Sequence, residues 1–227
     1  MTPRPLDKRD IKILNEQSYH PNYLGEYIPT LLWEDLGNDY LSTFSLDDRG
    51  NVSPINLNVK AITSRINSIK DEETISSVLD VGCGFGRVLA YLNKIKIAPR
   101  IVGIEKSQSM INSSRIFFER ILQPLPTIIK GDVFALPFKD EEFDLSYTHV
   151  VLTHIHPKDV KKAQKEISRV TKKFIIHIER YIFPYEHYHQ YRWSHDLVPY
   201  YEELGWENWE YAPCNTEHGT KILVLKK

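Results

Sequence analysis

The stretch "VLDVGCGFGRV", residues 78–88, constrains this chain more than any other. Residues suited to a buried strand run straight into Gly82, Gly84 and Gly86. A helical pattern then begins, with Val88, Leu92 and Ile95 on one face. Glycines at a strand-to-helix switch allow a tight turn, and they let a ligand approach bare backbone beneath helix N–H groups. An ordinary tight turn is the bland alternative, but the switch from strand to helix gives the triplet its meaning.

From Ser76 onward the same alternation continues. "RIVGIE" reads as a second strand and "SQSMINSSRIFFERIL" as a helix with Ser107 as its N-cap. "TIIKGD" is a third strand and "FDLSYTHVVL" a fourth. "PKDVKKAQKEISRV" is a helix that turns Val160, Ala163, Ile167 and Val170 inward, and "KKFIIHIE" a fifth strand. A short helix over 196–204 stops at Gly205, and "WENWEYA" and "TKILVLK" form an antiparallel ending. "ILVL" has no polar alternation, so this last strand is expected inside the sheet. The pattern predicts an α/β fold: a Rossmann-like, doubly wound, mostly parallel seven-stranded sheet with an antiparallel last strand. Residues 1–75 read as an N-terminal helical cap, with a helix near 59–69 on Val59, Ile62, Ile66 and Ile69. Residues 76–227 then form one ligand-binding domain.

Charge narrows the partners. With 29 basic and 30 acidic residues the net charge is -1, which gives no electrostatic reason to expect nucleic acid or an anionic membrane. "MTPRPLDKRD" lacks a signal-peptide core, and no apolar run approaches the roughly 18 to 20 residues of a membrane helix. The two cysteines, Cys83 and Cys214, are far apart, as expected of a reduced cytoplasmic protein. Oligomeric state is not written in the pattern.

The loop spacing is G-x-G-x-G, preceded by Asp80, rather than the G-x-G-x-x-G of a dinucleotide loop. A carboxylate there disfavours a pyrophosphate and suits a ligand with an ammonium or sulfonium group. S-adenosylmethionine (SAM) carries both. Glu105 ends the second strand, where a carboxylate can accept two hydrogen bonds from a ribose diol. Asp132 ends the third, where an acceptor can meet an adenine amino group.

Residues 78–155 resemble the class I SAM-dependent methyltransferases of the small-molecule type. "VLDVGCGFGRVLAYL" is similar to the first motif of that family, "IVGIEKSQSMI" to its second-strand motif and "GDVFALPFKDEEFDLSYTHVVLTHI" to its adenine region. The resemblance implies that Asp80, Gly82, Cys83, Gly84, Gly86 and Arg87 surround the cofactor, with Glu105 and Lys106 at the ribose. Asp132 and Val133 would then flank the adenine, and Thr148, His149 and Val150 would lie under the cofactor. His154 would face the substrate. The expected reaction is in-line transfer of a methyl group to an oxygen or nitrogen of a small metabolite, with His154 as general base. A protein or tRNA acceptor, a nucleotide-dependent oxidoreductase and a non-enzymatic SAM-fold partner are the rival readings.

"YEHYHQYRWSH", residues 185–195, follows the fifth strand on the side where open α/β sheets bind ligands. With Tyr181, its residues Tyr185, His187, Tyr188, His189, Tyr191 and Trp193 are expected to wall the substrate pocket. A ring-packed surface helix is the bland reading. A tyrosine cage for a methylated ammonium is a further one. Histidine pairs at 154/156 and 187/189, with His177 and Glu179, offer metal ligands, but no spacing is a metal signature and none is expected. Tyr19, His20 and Tyr23 would close as a lid or simply pack the cap.

Overall fold

The structure, a computed structural model, describes residues 57–180, 187–189, 192–215 and 219–227. Helix α1 (Leu57–Glu72) comes first. Its stripe of Val59, Ile62, Ile66 and Ile69 is at most 3% exposed, each side chain worth about 2 kcal/mol of burial. The stripe packs on Val78, Leu145, Ile176 and Val224 of the sheet. Arg65 reinforces that docking with a two-pronged pair to Glu210. Residues 57–72 therefore share the core of the sheet, although the 75/76 boundary read from sequence falls just after them. The expected lid residues Tyr19, His20 and Tyr23 lie outside the described residues.

Strand β1 (Ser77–Val81) leads through the glycines into α2 (Arg87–Lys94), and β2 (Arg100–Glu105) into α3 (Gln108–Arg120). Ser107 caps α3, its Oγ accepting the Met110 amide at 3.1 Å. After β3 (Thr127–Lys130) and β4 (Phe143–His149), helix α4 (Pro157–Val170) starts with proline at its first position and the His156 ring as cap. Next come β5 (Thr171–Arg180), a hairpin of β6 (His187–His189) and β7 (Arg192–Trp193), and α5 (Val198–Glu203). Strands β8 (Glu207–Asn215) and β9 (Thr220–Lys226) complete the order.

The main sheet runs β3-β2-β1-β4-β5-β9-β8. Its first five strands are parallel, and β9 is inserted antiparallel between β5 and β8. Alternation along β9 decides the two faces: Ile222 and Val224 meet α1, while Leu223 and Leu225 join α4, Tyr201 and Trp206. A third cluster, Phe85, Leu89, Met110, Phe117 and Phe118, joins α2 to α3.

Two sequence expectations need correction. The fourth strand stops at His149 instead of running to Leu152, because Val150 turns off the sheet at a φ of 58° and a 3₁₀ turn follows over Leu152–His154. The third strand stops at Lys130, since Gly131 and Asp132 leave it for a turn in which Asp132 bridges Ala135.

Candidate functional site

Because β2 lies on one side of β1 and β4 on the other, a crevice opens beyond the carboxyl end of β1. The glycine loop fills its base. Gly86, the N-cap of α2, has a φ of 87°, and a Cβ there would meet Phe118 at 2.8 Å. At Gly82 an added Cβ would meet the methyls of Val151 at 2.7 Å. Gly84 is different: its φ is 57°, yet an added Cβ would find nothing within 4 Å. The backbone at Gly84 thus faces open space, as a ligand cradle must.

Glu105 organises that cradle. Its Oε2 accepts the Gly84 amide at 2.9 Å and its Oε1 the Ser107 amide at 2.8 Å. Asp80 is only 2% exposed, and its Oδ2 accepts the Tyr147 hydroxyl at 2.6 Å. Burial pushes its carboxyl up to about 7, against the opposing pull of the Tyr147 bond and with some help from the Glu105 charge. Burial, with the Asp80 and Glu105 charges, also holds the Cys83 thiol protonated, and the side chain packs down toward Gly103.

Asp132 pairs with Lys106 at 2.8 Å, and its Oδ1 takes the Phe134 amide at 3.1 Å. Val133 is partly buried against the core. His149 is also partly buried, and its Nε2 faces the Asn58 amide nitrogen at 3.1 Å. Burial and the Arg87 charge lower its pKa to about 3, so the ring is neutral. The N-terminal end of α1 therefore reaches the cofactor edge of the sheet. Thr148 is fully buried, with its hydroxyl turned toward β5 rather than into the crevice.

His154 lies on the 3₁₀ turn and is 7% exposed. Behind that turn stands a feature that sequence reading missed. Glu179 accepts the amides of Val151, Leu152 and Thr153, each at 3.1 Å, and the Thr148 hydroxyl at 2.7 Å. His177 Nδ1 lies 2.7 Å from the same hydroxyl and its Nε2 lies 2.9 Å from the Tyr201 hydroxyl. Both ring nitrogens are thus engaged within the protein, and among the described residues no three metal-binding side chains converge.

Near the end of β5, a small cleft is lined by His177, Glu179, Arg180, His195, Leu197 and Lys221, among others. It sits beside β5, across β4 from the glycine loop. Of the ring-rich residues, Tyr181, Tyr185 and Tyr191 lie outside the described residues, and His187, Tyr188 and His189 are described in backbone alone, as β6. Trp193 is half-buried, with its ring edge-on to His156 at 5.4 Å and its carbonyl accepting the Thr153 hydroxyl at 2.9 Å.

The sequence family described as a methyltransferase domain matches residues 79–174. The match spans less than half of the chain, and over that span the segment is similar to a methyltransferase domain. Similar folds have been solved with SAM and with S-adenosylhomocysteine bound. The domain is 33% identical over 105 residues to an uncharacterized methyltransferase of Schizosaccharomyces pombe, a match covering 42% of this chain and 36% of that protein. It is likewise 33% identical over 96 residues to the sterol 24-C-methyltransferase erg6 of Aspergillus fumigatus, covering 42% of this chain and 25% of that one. The chain thus spans about a quarter to two fifths of the length of such curated relatives. Among solved structures, the fold is similar to magnesium protoporphyrin IX methyltransferase from Synechocystis with bound SAM. The TM-score is 0.69 at 15% identity, covering 89% of this chain and 99% of that one.

Proposed function

We propose that this chain transfers a methyl group from SAM to an oxygen or nitrogen of a small metabolite. The open cradle at Gly84, held between the Asp80 and Glu105 carboxylates, carries the reading. The glycine-loop amides and Glu105 suit a ribose diol, while Asp132, Val133 and Lys106 border the adenine side. Asp80 suits a cationic amino-acid tail, its ionisation favoured by the approaching charge. Gly82, Cys83, Gly86 and Arg87 shape the loop around it, and His149 and Val150 form the floor. When bound, the cofactor supplies a methyl group on a sulfonium, a good leaving group. What remains for the protein is alignment, exclusion of water and acceptance of the proton of the nucleophile. His154, carried on the turn beyond β4, is proposed as the base. The ring-rich segment and the cleft beside β5 are proposed as the acceptor side, with Tyr19 and Tyr23 as a lid.

Small acceptors draw support from the similarity to sterol methyltransferases and to magnesium protoporphyrin IX methyltransferase. No helix among the described residues is long and apolar enough to cross a membrane, and a cytoplasmic location is part of the proposal.

Isothermal titration with S-adenosylhomocysteine and with NADH tests the cofactor reading. Micromolar binding of the first and none of the second is expected, and the reverse would overturn it. Glu105→Ala should weaken S-adenosylhomocysteine binding about tenfold or more, through loss of charge-assisted bonds. Radiolabelled methyl transfer onto a metabolite panel then seeks the acceptor. On whichever acceptor is found, His154→Ala should lower turnover about 100-fold with cofactor affinity unchanged. Undiminished turnover removes the base assignment.

A further inference from the structure

Residues 151–155 join the glycine loop to His154, and their backbone is gripped from two sides. From β5, Glu179 takes three consecutive amides, those of Val151, Leu152 and Thr153. From the segment after β7, His195 Nε2 lies 2.9 Å from the Leu152 carbonyl oxygen and 3.0 Å from that of Ile155. Two carbonyls at one ring nitrogen require that nitrogen to carry the proton. The Thr153 hydroxyl donates to the Trp193 carbonyl, a further tie to the hairpin.

The direction of the bonds behind Glu179 is fixed as well. Thr148 gives its proton to Glu179, so His177 Nδ1 must donate to the Thr148 oxygen and His177 Nε2 must accept from Tyr201. Every donor in the chain runs toward the carboxylate. Burial opposes its ionisation and raises its pKa, while the four bonds it accepts oppose that rise. On the other flank of the turn, the Val151 methyls fill the space beside Gly82 that a side chain there would need. A shift of the turn is therefore felt directly in the glycine loop.

We propose that Glu179 and His195 are positioning residues that clamp residues 151–155, setting the glycine loop and His154 in one geometry. The ring-rich hairpin and the end of β5 are thereby coupled to the cofactor site. This rests on the methyltransferase reading for its site, but not for the clamp itself.

The test uses the full chain, with S-adenosylhomocysteine as probe and residue-resolved amide exchange as a second readout. In Glu179→Gln, either the Thr153 amide or the Val151 and Leu152 amides together face an NH₂ group instead of an oxygen. The amides so deprived should exchange about tenfold faster, with the β4–β5 ladder amides unchanged. S-adenosylhomocysteine affinity should fall about tenfold in the same variant. His195→Ala should behave alike, whereas His195→Gln keeps an N–H donor and should stay within about twofold of the parent in both readouts. Should Glu179→Gln fail to fold, the His195 pair carries the same comparison. Unchanged turn exchange in Glu179→Gln and His195→Ala overturns the clamp. Faster exchange with unaltered affinity overturns the positioning role. A parent protein that binds no S-adenosylhomocysteine would overturn the cofactor reading instead, while amide exchange would still test the clamp.

Discussion

Asp80 and Val150 show how single residues near the crevice hold unfavourable states. The Asp80 carboxyl ionises near 7 in the folded chain, against 3.8 as the ordinary value. Between those values the folded state keeps a proton that the unfolded state has released, so this group makes stability fall as pH rises. The loss amounts to about 4 kcal/mol across pH 4 to 7, and below pH 4 it vanishes. Asp80→Asn removes this slope, so urea unfolding at several pH values should show the variant gaining on the parent up to pH 7. A ligand ammonium group that ionises Asp80 must also expel its proton. Titration of S-adenosylhomocysteine in buffers of differing ionisation heat should detect proton release below pH 7, lost in Asp80→Asn. Val150 is β-branched and sits at a φ of 58°, a conformation that costs about 1 to 3 kcal/mol. Val150→Gly should therefore raise the urea midpoint.

The glycine loop and the turn beyond β4 separate what local pattern reveals from what distant contacts impose. Gly84→Ala meets no atom, so it should cost about 1 kcal/mol of stability for its left-handed φ while S-adenosylhomocysteine affinity drops far more. Gly86→Ala should do the opposite, because its Cβ strikes Phe118 in the α2–α3 core. Calorimetry paired with urea unfolding distinguishes the two. The loop was legible because a strand, glycines and a helix follow one another in the chain, as were α4 and the Ser107 cap. The end of β4 was not, since "THVVL" has the composition of a strand. What gathers the following amides is Glu179, 28 residues further on from Val151, and sequence order carries no trace of that meeting. Likewise nothing near Asp80 announced Tyr147, 67 residues away, as its partner. The one available hint for Glu179 was a carboxylate at the end of an otherwise apolar strand.

At the scale of the molecule, the apolar stripe of α1 was readable but not its destination, since periodicity names a face and not the surface it will cover. That destination is the sheet itself, so a chain shortened to begin at Ser76 should be insoluble. Ile66→Ala in the full chain should cost about 2 to 5 kcal/mol by urea unfolding. The strand order has a temporal consequence as well. Among the described residues β8 is hydrogen-bonded into the main sheet through β9 alone, and β5 finds its second strand neighbour in β9. During synthesis β8 must therefore wait, unpaired, for a strand that is made after it. Until then the growing polypeptide shows a bare, apolar border along β5, a standing invitation to chaperones and to neighbouring nascent chains.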